Sequence, residues 1–132
     1  MDKNIKSVLE LKRLVFDYIS FKREGFSSDA EFQLKLKSVI SKKKYEELYR
    51  VELSLEGQKE GEYKIEIRLF GFFAFDESES IDEKLKNELL AKNAIAILMP
   101  YLRSEVSILT AQPGVESVVL PPFNINKLME SN

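Results

Sequence analysis

The spacing of apolar residues changes once along this chain, and the change limits the folds that it can adopt. Up to Phe75, apolar residues recur mainly at every second position, most regularly in residues 49–56 and 63–73. A period of two is typical of a strand with one buried face. From Ser80 to Thr110 the pattern is helical, and Gln112, Pro113 and Gly114 then supply stop signals. Strands followed by a long helix predict an α+β fold, in a single domain of residues 1–132.

Four predicted strands precede the helix, at residues 14–22, 32–40, 49–56 and 63–73. Their connections are short, so we expect an antiparallel sheet with one solvent-exposed face. The first strand is unusual because apolar residues stand at both odd and even positions of Leu14–Lys22. This pattern predicts that neither of its faces simply points at water.

The predicted helix has an apolar centre. Ser80 and Glu83 have the spacing of a capping box at its start, and Pro100 predicts a bend. Residues 94–99 are apolar around the whole helix, which predicts burial on more than one side. A chain of 132 residues has few further elements that could pack on this surface, so we expect another copy of the protein to cover it. The alternative is that another segment of the same chain covers it. The residues expected at that interface are Ala94, Ile95, Ile97 and Leu98.

The C-terminal residues are predicted to be extended. Pro121 and Pro122 prevent a helix and push the residues before them toward extended backbone. Leu120, Phe123 and Ile125 lack enough local apolar partners, so we expect this segment to lie against an apolar surface. Residues 126–129 have the pattern of a short final helical turn.

Composition excludes several classes of function. The chain has no His and no Cys, which excludes Ser-His-Asp and thiol catalysis and cysteine-bound metals. No spacing brings two carboxylates to one site, so we expect no enzyme, no cofactor and no metal. The net charge of −2 does not indicate nucleic acid as a partner. No apolar run is long enough for a membrane span, and the N-terminus lacks a signal-peptide pattern, so we expect a cytoplasmic protein without membrane insertion.

Several motifs of the chain together carry a family resemblance. They are Met99–Ser104 (Met-Pro-Tyr-Leu-Arg-Ser), residues 109–114 (Leu-Thr-Ala-Gln-Pro-Gly) and residues 120–125 (Leu-Pro-Pro-Phe-Asn-Ile). The aromatic stretch at residues 71–75 and the segment at residues 17–21 are similar too. No single motif is specific, but in this order and spacing they resemble the SecB family of export chaperones.

The resemblance implies a fold, an assembly and an activity. The implied fold is a four-stranded antiparallel sheet followed by one long helix, an extended crossover segment and a short C-terminal helix. The implied assembly is a homotetramer, a dimer of dimers with the helices between two sheet layers. SecB-like proteins bind non-native polypeptides in apolar grooves without ATP and pass secretory precursors to the SecA motor, so we expect such a holdase. The alternatives are a relative dedicated to a toxin–antitoxin system and an oligomeric scaffold that is not a chaperone.

The resemblance also suggests contact residues, each with an ordinary structural role as its alternative, which is packing for the apolar and aromatic candidates and a solvated strand position for Glu66. Aligned on residues 19–21, two acidic SecA-contact positions of the first strand fall on Tyr18 and Lys22, and neither is acidic. Glu66 keeps a carboxylate on the fourth strand and is the candidate SecA contact. The candidate contacts for client polypeptides are Phe32, Leu34, Leu36, Tyr101, Leu120, Phe123 and Ile125.

Overall fold

The structure, a computed structural model, describes residues 9–45, 48–76 and 82–120. Within them, four strands form one antiparallel sheet in the order β1-β4-β3-β2. The strands are β1 (Leu9–Arg23), β2 (Phe32–Tyr45), β3 (Leu48–Lys59) and β4 (Tyr63–Phe75). The predicted antiparallel sheet is confirmed, and each strand extends beyond its predicted range.

Register shifts in β1 explain its two-faced sequence pattern. The pairing of β1 with β4 is irregular between Leu11 and Arg13 and again between Phe16 and Tyr18. Directly paired residues lie on the same face of a sheet, and a bulge inserts one residue without a partner. The two irregularities therefore bring one apolar row onto the face that the buried residues of β4 occupy. That row is Leu9, Leu11, Leu14, Phe16, Ile19 and Phe21.

The two faces of the sheet differ in polarity. The inner face carries the odd-numbered residues of β3 and β4, and most of them are fully buried, such as Val51, Leu55 and Ile67. The outer face carries the even-numbered residues of these strands, such as Lys64 and Glu66, which are exposed. The apolar inner face therefore needs a cover, which the helix supplies.

The helix lies on the inner face in two α-helical parts. These are α1 (Glu83–Leu89) and α2 (Ile95–Leu109), joined by a π-helical turn at Leu90–Ala94. Buried residues recur every four positions from Leu90 to Val106, which exceeds the 3.6 residues of an α-helical turn. The wider π-helical turn absorbs part of this difference, and the sequence pattern did not predict it.

The helix starts two residues later than the predicted capping box. Asp82 is the N-cap, and its carboxylate accepts a hydrogen bond of 2.8 Å from the Leu85 amide. Ser80, the predicted cap, lies outside the described residues. Thr110 ends the helix, as the stop signals predicted. Pro100 lies within α2, on its exposed side, and the bend there stays a prediction.

The chain then turns back over the end of the sheet. Arg23 Nη2 donates a hydrogen bond of 3.1 Å to the Gly114 carbonyl, and Gly114 has a positive φ of 84°. The following residues return along α2 as far as Leu120, which is buried. The predicted crossover beyond Leu120 and the short C-terminal helix lie outside the described residues. Within the described part of the chain, no helix has the length and apolarity needed to cross a membrane.

Candidate functional site

An apolar stripe lies on the side of α2 that faces away from the sheet. Ile97, Tyr101 and Ile108 stand at positions i, i+4 and i+11, so they fall on one side of the helix. Ile97 is half-buried, whereas Tyr101 is 44% exposed and Ile108 is 64% exposed. This outward stripe is therefore open in the single chain.

The apolar helix centre is covered mainly by the chain's own sheet. Ala94, Ile95 and Leu98 are buried within the single subunit, and Leu98 packs over Gly71 of β4. The burial argument for a second copy therefore no longer applies to these three residues. Of the four expected interface residues, Ile97 is the one that retains exposed surface. The candidate surface for self-association is accordingly the outward stripe.

An extended segment, which we call the strap (Val118–Leu120), runs beside this stripe. Arg103 Nε donates to the Leu120 carbonyl at 3.1 Å, and Ser107 Oγ donates to the Val118 carbonyl at 3.3 Å. The Val118 amide donates to Thr110 Oγ1 at 2.9 Å, and that buried hydroxyl donates to the Val106 carbonyl at 2.9 Å. Each bond between α2 and the strap joins a helix side chain to strap backbone, so side chains of α2 fix the path of the strap.

The strap and α2 enclose an open depression of about 490 Å³, which we call the strap groove. Apolar walls come from Pro100, Ile108 and Val119, and Val119 is 77% exposed. Ser104 and Ser107 line it with hydroxyl groups. Such a surface has few directional contacts, so it suits an apolar segment of variable sequence.

The β2 candidates lie on the inner face at the edge of the sheet. Leu36 is buried and pairs with Leu55, so it belongs to the core. Phe32 and Leu34 are half-buried, and the Phe32 ring lies 6.3 Å from the Tyr63 ring. Leu34 and Leu36 also border an open depression of about 520 Å³, but none of the three residues lines the strap groove.

The remaining client candidates have different positions. Tyr101 is exposed on the outward stripe, and Leu120 is a buried residue of the strap. Phe123 and Ile125 lie outside the described residues. The structure thus brings Leu120 to the strap groove and Tyr101 to the same side of α2, whereas the β2 row lies on the sheet. The contacts of all these residues with clients stay predictions.

Glu66 lies on the outer face among charges of both signs. It pairs across strands with Ser20 and Glu56, and it lines an open depression of about 780 Å³ together with Lys22 and Lys64. Next to it on β4, Arg68 forms an ion pair with Asp17 and lies over the Tyr18 ring at 5.4 Å. The hydrogen bond that Arg68 Nε donates to the Asp17 carboxylate raises the pKa of Arg68. The role of Glu66 in SecA docking stays a prediction.

Sequence reasoning missed the residues that fasten the strap. Arg103, Ser107 and Thr110 follow one another at positions i, i+4 and i+7, which places them on one side of α2. A polar row of this kind inside an apolar helix was a detectable signal, because it indicates contacts with a neighbouring segment. Ile108 and Val119, the most exposed walls of the strap groove, were also missed.

Comparison with known proteins agrees with this architecture. The model of the family described as preprotein translocase subunit SecB matches residues 14–132. A solved structure, the Mycobacterium tuberculosis Rv1957 SecB-like chaperone in complex with a ChAD peptide from the Rv1956 HigA1 antitoxin, superposes with a TM-score of 0.68. Its sequence is 12% identical, and the match covers 89% of this chain and 92% of that one.

Two further proteins match this chain over a shorter segment or with a lower structural similarity. The uncharacterized protein MJ0357 of Methanocaldococcus jannaschii is 35% identical over 65 residues. That match covers 49% of this chain and 40% of MJ0357, so the chain spans well under half of this relative. A protein of unknown function from Streptococcus agalactiae superposes with a TM-score of 0.46 at 8% identity, over 86% of this chain and 96% of that one.

Proposed function

This chain belongs to the SecB family, and on that premise we propose that it is an ATP-independent holdase for non-native polypeptides. The observation that carries the proposal is the exposed apolar surface of α2 and the strap. Ile108 and Val119 form opposite walls of the strap groove and are among the most exposed large apolar residues that the structure describes. A soluble subunit keeps such a surface where it binds another chain.

The physics of the strap groove suits a client without fixed structure. An unfolded polypeptide offers extended backbone and scattered apolar side chains, and burial of each such side chain yields about 1.5–3 kcal/mol. Several weak contacts then add up without close shape complementarity. The Ser104 and Ser107 hydroxyls and the exposed Tyr101 hydroxyl supply polar contacts that do not depend on a particular client sequence.

Self-association is part of the proposal. The outward stripe of α2 presents Ile97, Tyr101 and Ile108 over several turns, interrupted by the exposed Ser104, and a second subunit could cover part of it as the sheet covers the other side of the helix. We propose a homotetramer, a dimer of dimers, in which the helices lie between two sheet layers. Clients then bind the apolar surface that the assembly leaves open, including the strap groove.

The partner in the cell could be an export motor or an antitoxin. For export, SecA would dock on the outer face at Glu66, but Tyr18 and Lys22 do not supply further carboxylates there. For the alternative, the Rv1957 structure contains a peptide from an antitoxin, and its fold matches most of this chain. This likeness favours a toxin–antitoxin role as the second candidate, and binding of purified SecA separates the two.

The holdase proposal is tested by aggregation of unfolded rhodanese after dilution from denaturant. We expect the protein to suppress light scattering at a stoichiometric excess over the client. The double variant I108S/V119S should suppress it several-fold less, because both changes remove apolar wall from the strap groove. Val39→Ser is the matched control, since Val39 is an exposed valine on the outer face of the sheet.

Two results would contradict the proposal. The first is aggregation that proceeds unchanged in the presence of the unmodified protein. The second is equal activity of I108S/V119S and the control, which would place client binding elsewhere. If the protein is also unable to bind an environment-sensitive apolar dye, the non-chaperone scaffold becomes the better explanation.

A further inference from the structure

A second surface, on the outer face of the sheet, combines arginines with aromatic rings. We call it the arginine–aromatic patch and define it as Arg13, Arg50, Phe70 and Phe72. The Arg13 guanidinium lies 5.8 Å from the centre of the Phe72 ring, and the Arg50 guanidinium lies 4.9 Å from that of Phe70. Both rings are half-buried, whereas both arginines are exposed.

The strand register places the two arginines on either side of one ring. Phe72 pairs with Arg13 of β1 and with Arg50 of β3. Because these residues occupy three neighbouring strands, the two arginine backbones lie about 10 Å apart, or two strand spacings. The patch is thus an apolar centre with a cation on each side, on the opposite face of the sheet from α2.

Within the part of the chain that the structure describes, no ion pair uses the charges of these two arginines. Among the described residues, neither Arg13 nor Arg50 has a carboxylate within ion-pairing distance. The two carboxylates of β1 form ion pairs with other cations: Glu10 pairs with Lys12 at 3.2 Å, and Asp17 pairs with Arg68. Each guanidinium lies within cation–π distance of a ring, which restricts the arginine side chain and lowers the entropy lost when it binds a carboxylate.

We propose that the arginine–aromatic patch binds an acidic segment of a partner polypeptide, with carboxylates on the two arginines and an apolar side chain over Phe72. Charge complementarity favours this occupant, because exposed guanidinium groups bind carboxylates in a bidentate geometry. A nucleic acid fits less well, since its continuous phosphate backbone would also meet Glu52, Glu56 and Glu66 of the outer face, whereas a peptide can confine its carboxylates to the two arginines. The proposal does not depend on the holdase function, because the strap groove lies on the other side of the sheet.

The test uses a short fluorescein-labelled peptide in which pairs of glutamates flank leucines, with a lysine-for-glutamate peptide as its counterpart. Fluorescence anisotropy should show saturable binding of the acidic peptide to the protein and no binding of the lysine peptide. The affinity for the acidic peptide should fall as the salt concentration is raised. The double variant R13Q/R50Q should bind the acidic peptide about tenfold more weakly or worse, because two charge-assisted contacts are lost.

Matched variants separate the patch from a general effect of charge. K35Q/K37Q removes two exposed cations from the same face, on β2, and should change the affinity less than about twofold. R13K/R50K keeps both charges but loses the planar stacking group, and it should bind several-fold more weakly than the unmodified protein. Circular dichroism and thermal denaturation establish that each variant is folded.

The proposal is overturned if the acidic peptide does not bind, or if both glutamine variants weaken it equally. It is also overturned if a single-stranded RNA oligonucleotide binds the patch more tightly than the peptide does. If instead R13Q/R50Q lowers the mass of the protein in solution, the patch is a contact between copies of this chain and the partner proposed here is wrong.

Discussion

At the scale of single residues, Gly71 determines how closely α2 approaches the sheet. A Cβ atom at this position would lie 2.7 Å from Leu98 Cδ2 and 2.7 Å from a ring carbon of Phe73. Both neighbours are fully buried, so neither side chain has free space into which to move. The close contact of helix and sheet therefore depends on the absence of a side chain at Gly71.

Gly71→Ala should lower the free energy of unfolding by about 1–3 kcal/mol, the usual cost of overpacking a core. Urea denaturation followed by circular dichroism measures the change. In a Leu98→Ala background, the same glycine substitution should cost less, because the clashing methyl groups are absent. Equal costs in both backgrounds would mean that Leu98 is not what restricts this position.

Tyr63 makes stability depend on pH at the alkaline end. Burial, followed by the charges of Glu62 and Glu116, raises the pKa of Tyr63 above its ordinary value of 10.0. The folded state therefore holds the phenol proton more tightly than the unfolded state does. Stability is unaffected by this group below pH 10 and falls as the pH rises through the unfolded-state pKa toward the folded-state pKa.

The variant Tyr63→Phe should accordingly lose less stability than the unmodified protein between neutral and strongly alkaline pH. Chemical denaturation at a series of pH values measures the difference. Identical alkaline slopes for the two proteins would show that Tyr63 does not carry this dependence.

At the scale of elements, the strap is held by side chains of α2. Thr110 is central to this arrangement, because its buried hydroxyl accepts from the Val118 amide and donates to the Val106 carbonyl. Arg103 and Ser107 hold the strap carbonyls farther along. The strap groove therefore keeps its shape only while these side-chain bonds hold.

Thr110→Val keeps the side-chain shape but removes the hydroxyl, which leaves the Val118 amide without this partner. We expect a loss of about 1–3 kcal/mol in the free energy of unfolding, the cost of an unsatisfied buried group. Amide hydrogen exchange should also become faster at Val118. Thr110→Ser retains the hydroxyl and is the control, and equal exchange at Val118 in all three proteins would contradict this role of Thr110.

At the scale of the whole molecule, two surfaces on opposite sides of the sheet remain open in a single subunit. One is the outward stripe of α2 with the strap groove, and the other is the arginine–aromatic patch of the outer face. The first is apolar and suits sister subunits and unfolded clients. The second combines charge with aromatic rings and suits an acidic partner. Together the two proposals describe a protein that holds a client on one side of the sheet and engages a partner on the other.

Light scattering coupled to size-exclusion chromatography measures the mass of the assembly. We expect a mass of about four subunits, since apolar burial of the outward stripe favours association. Tyr101→Lys should shift the protein toward smaller species, because it places a charge in the centre of the stripe. A monomer at micromolar concentration would contradict the proposed assembly.

Local patterns determined the sheet, the helix and their order along the chain. The strands at residues 49–56 and 63–73 could be predicted from the alternation of apolar residues alone. The end of the helix could be predicted from the backbone preferences of residues 112–114 alone. Both kinds of information lie within a few residues. Neither the local patterns nor the family resemblance supplied the strand order β1-β4-β3-β2, in which β1 pairs with the distant β4.

The tertiary structure decided which apolar residues are free. Leu11 and Leu14 share a face because of a bulge, and the sequence shows that shift only as an irregular pattern. Leu98 is buried and Ile108 is exposed because of the side of α2 that packs against the sheet. Leu98 makes that contact with Gly71, which is distant in sequence. The stacking of Arg13 on Phe72 likewise depends on strand pairing. Residue types and their spacing are local, whereas exposure is set by contacts between segments that are far apart in the chain.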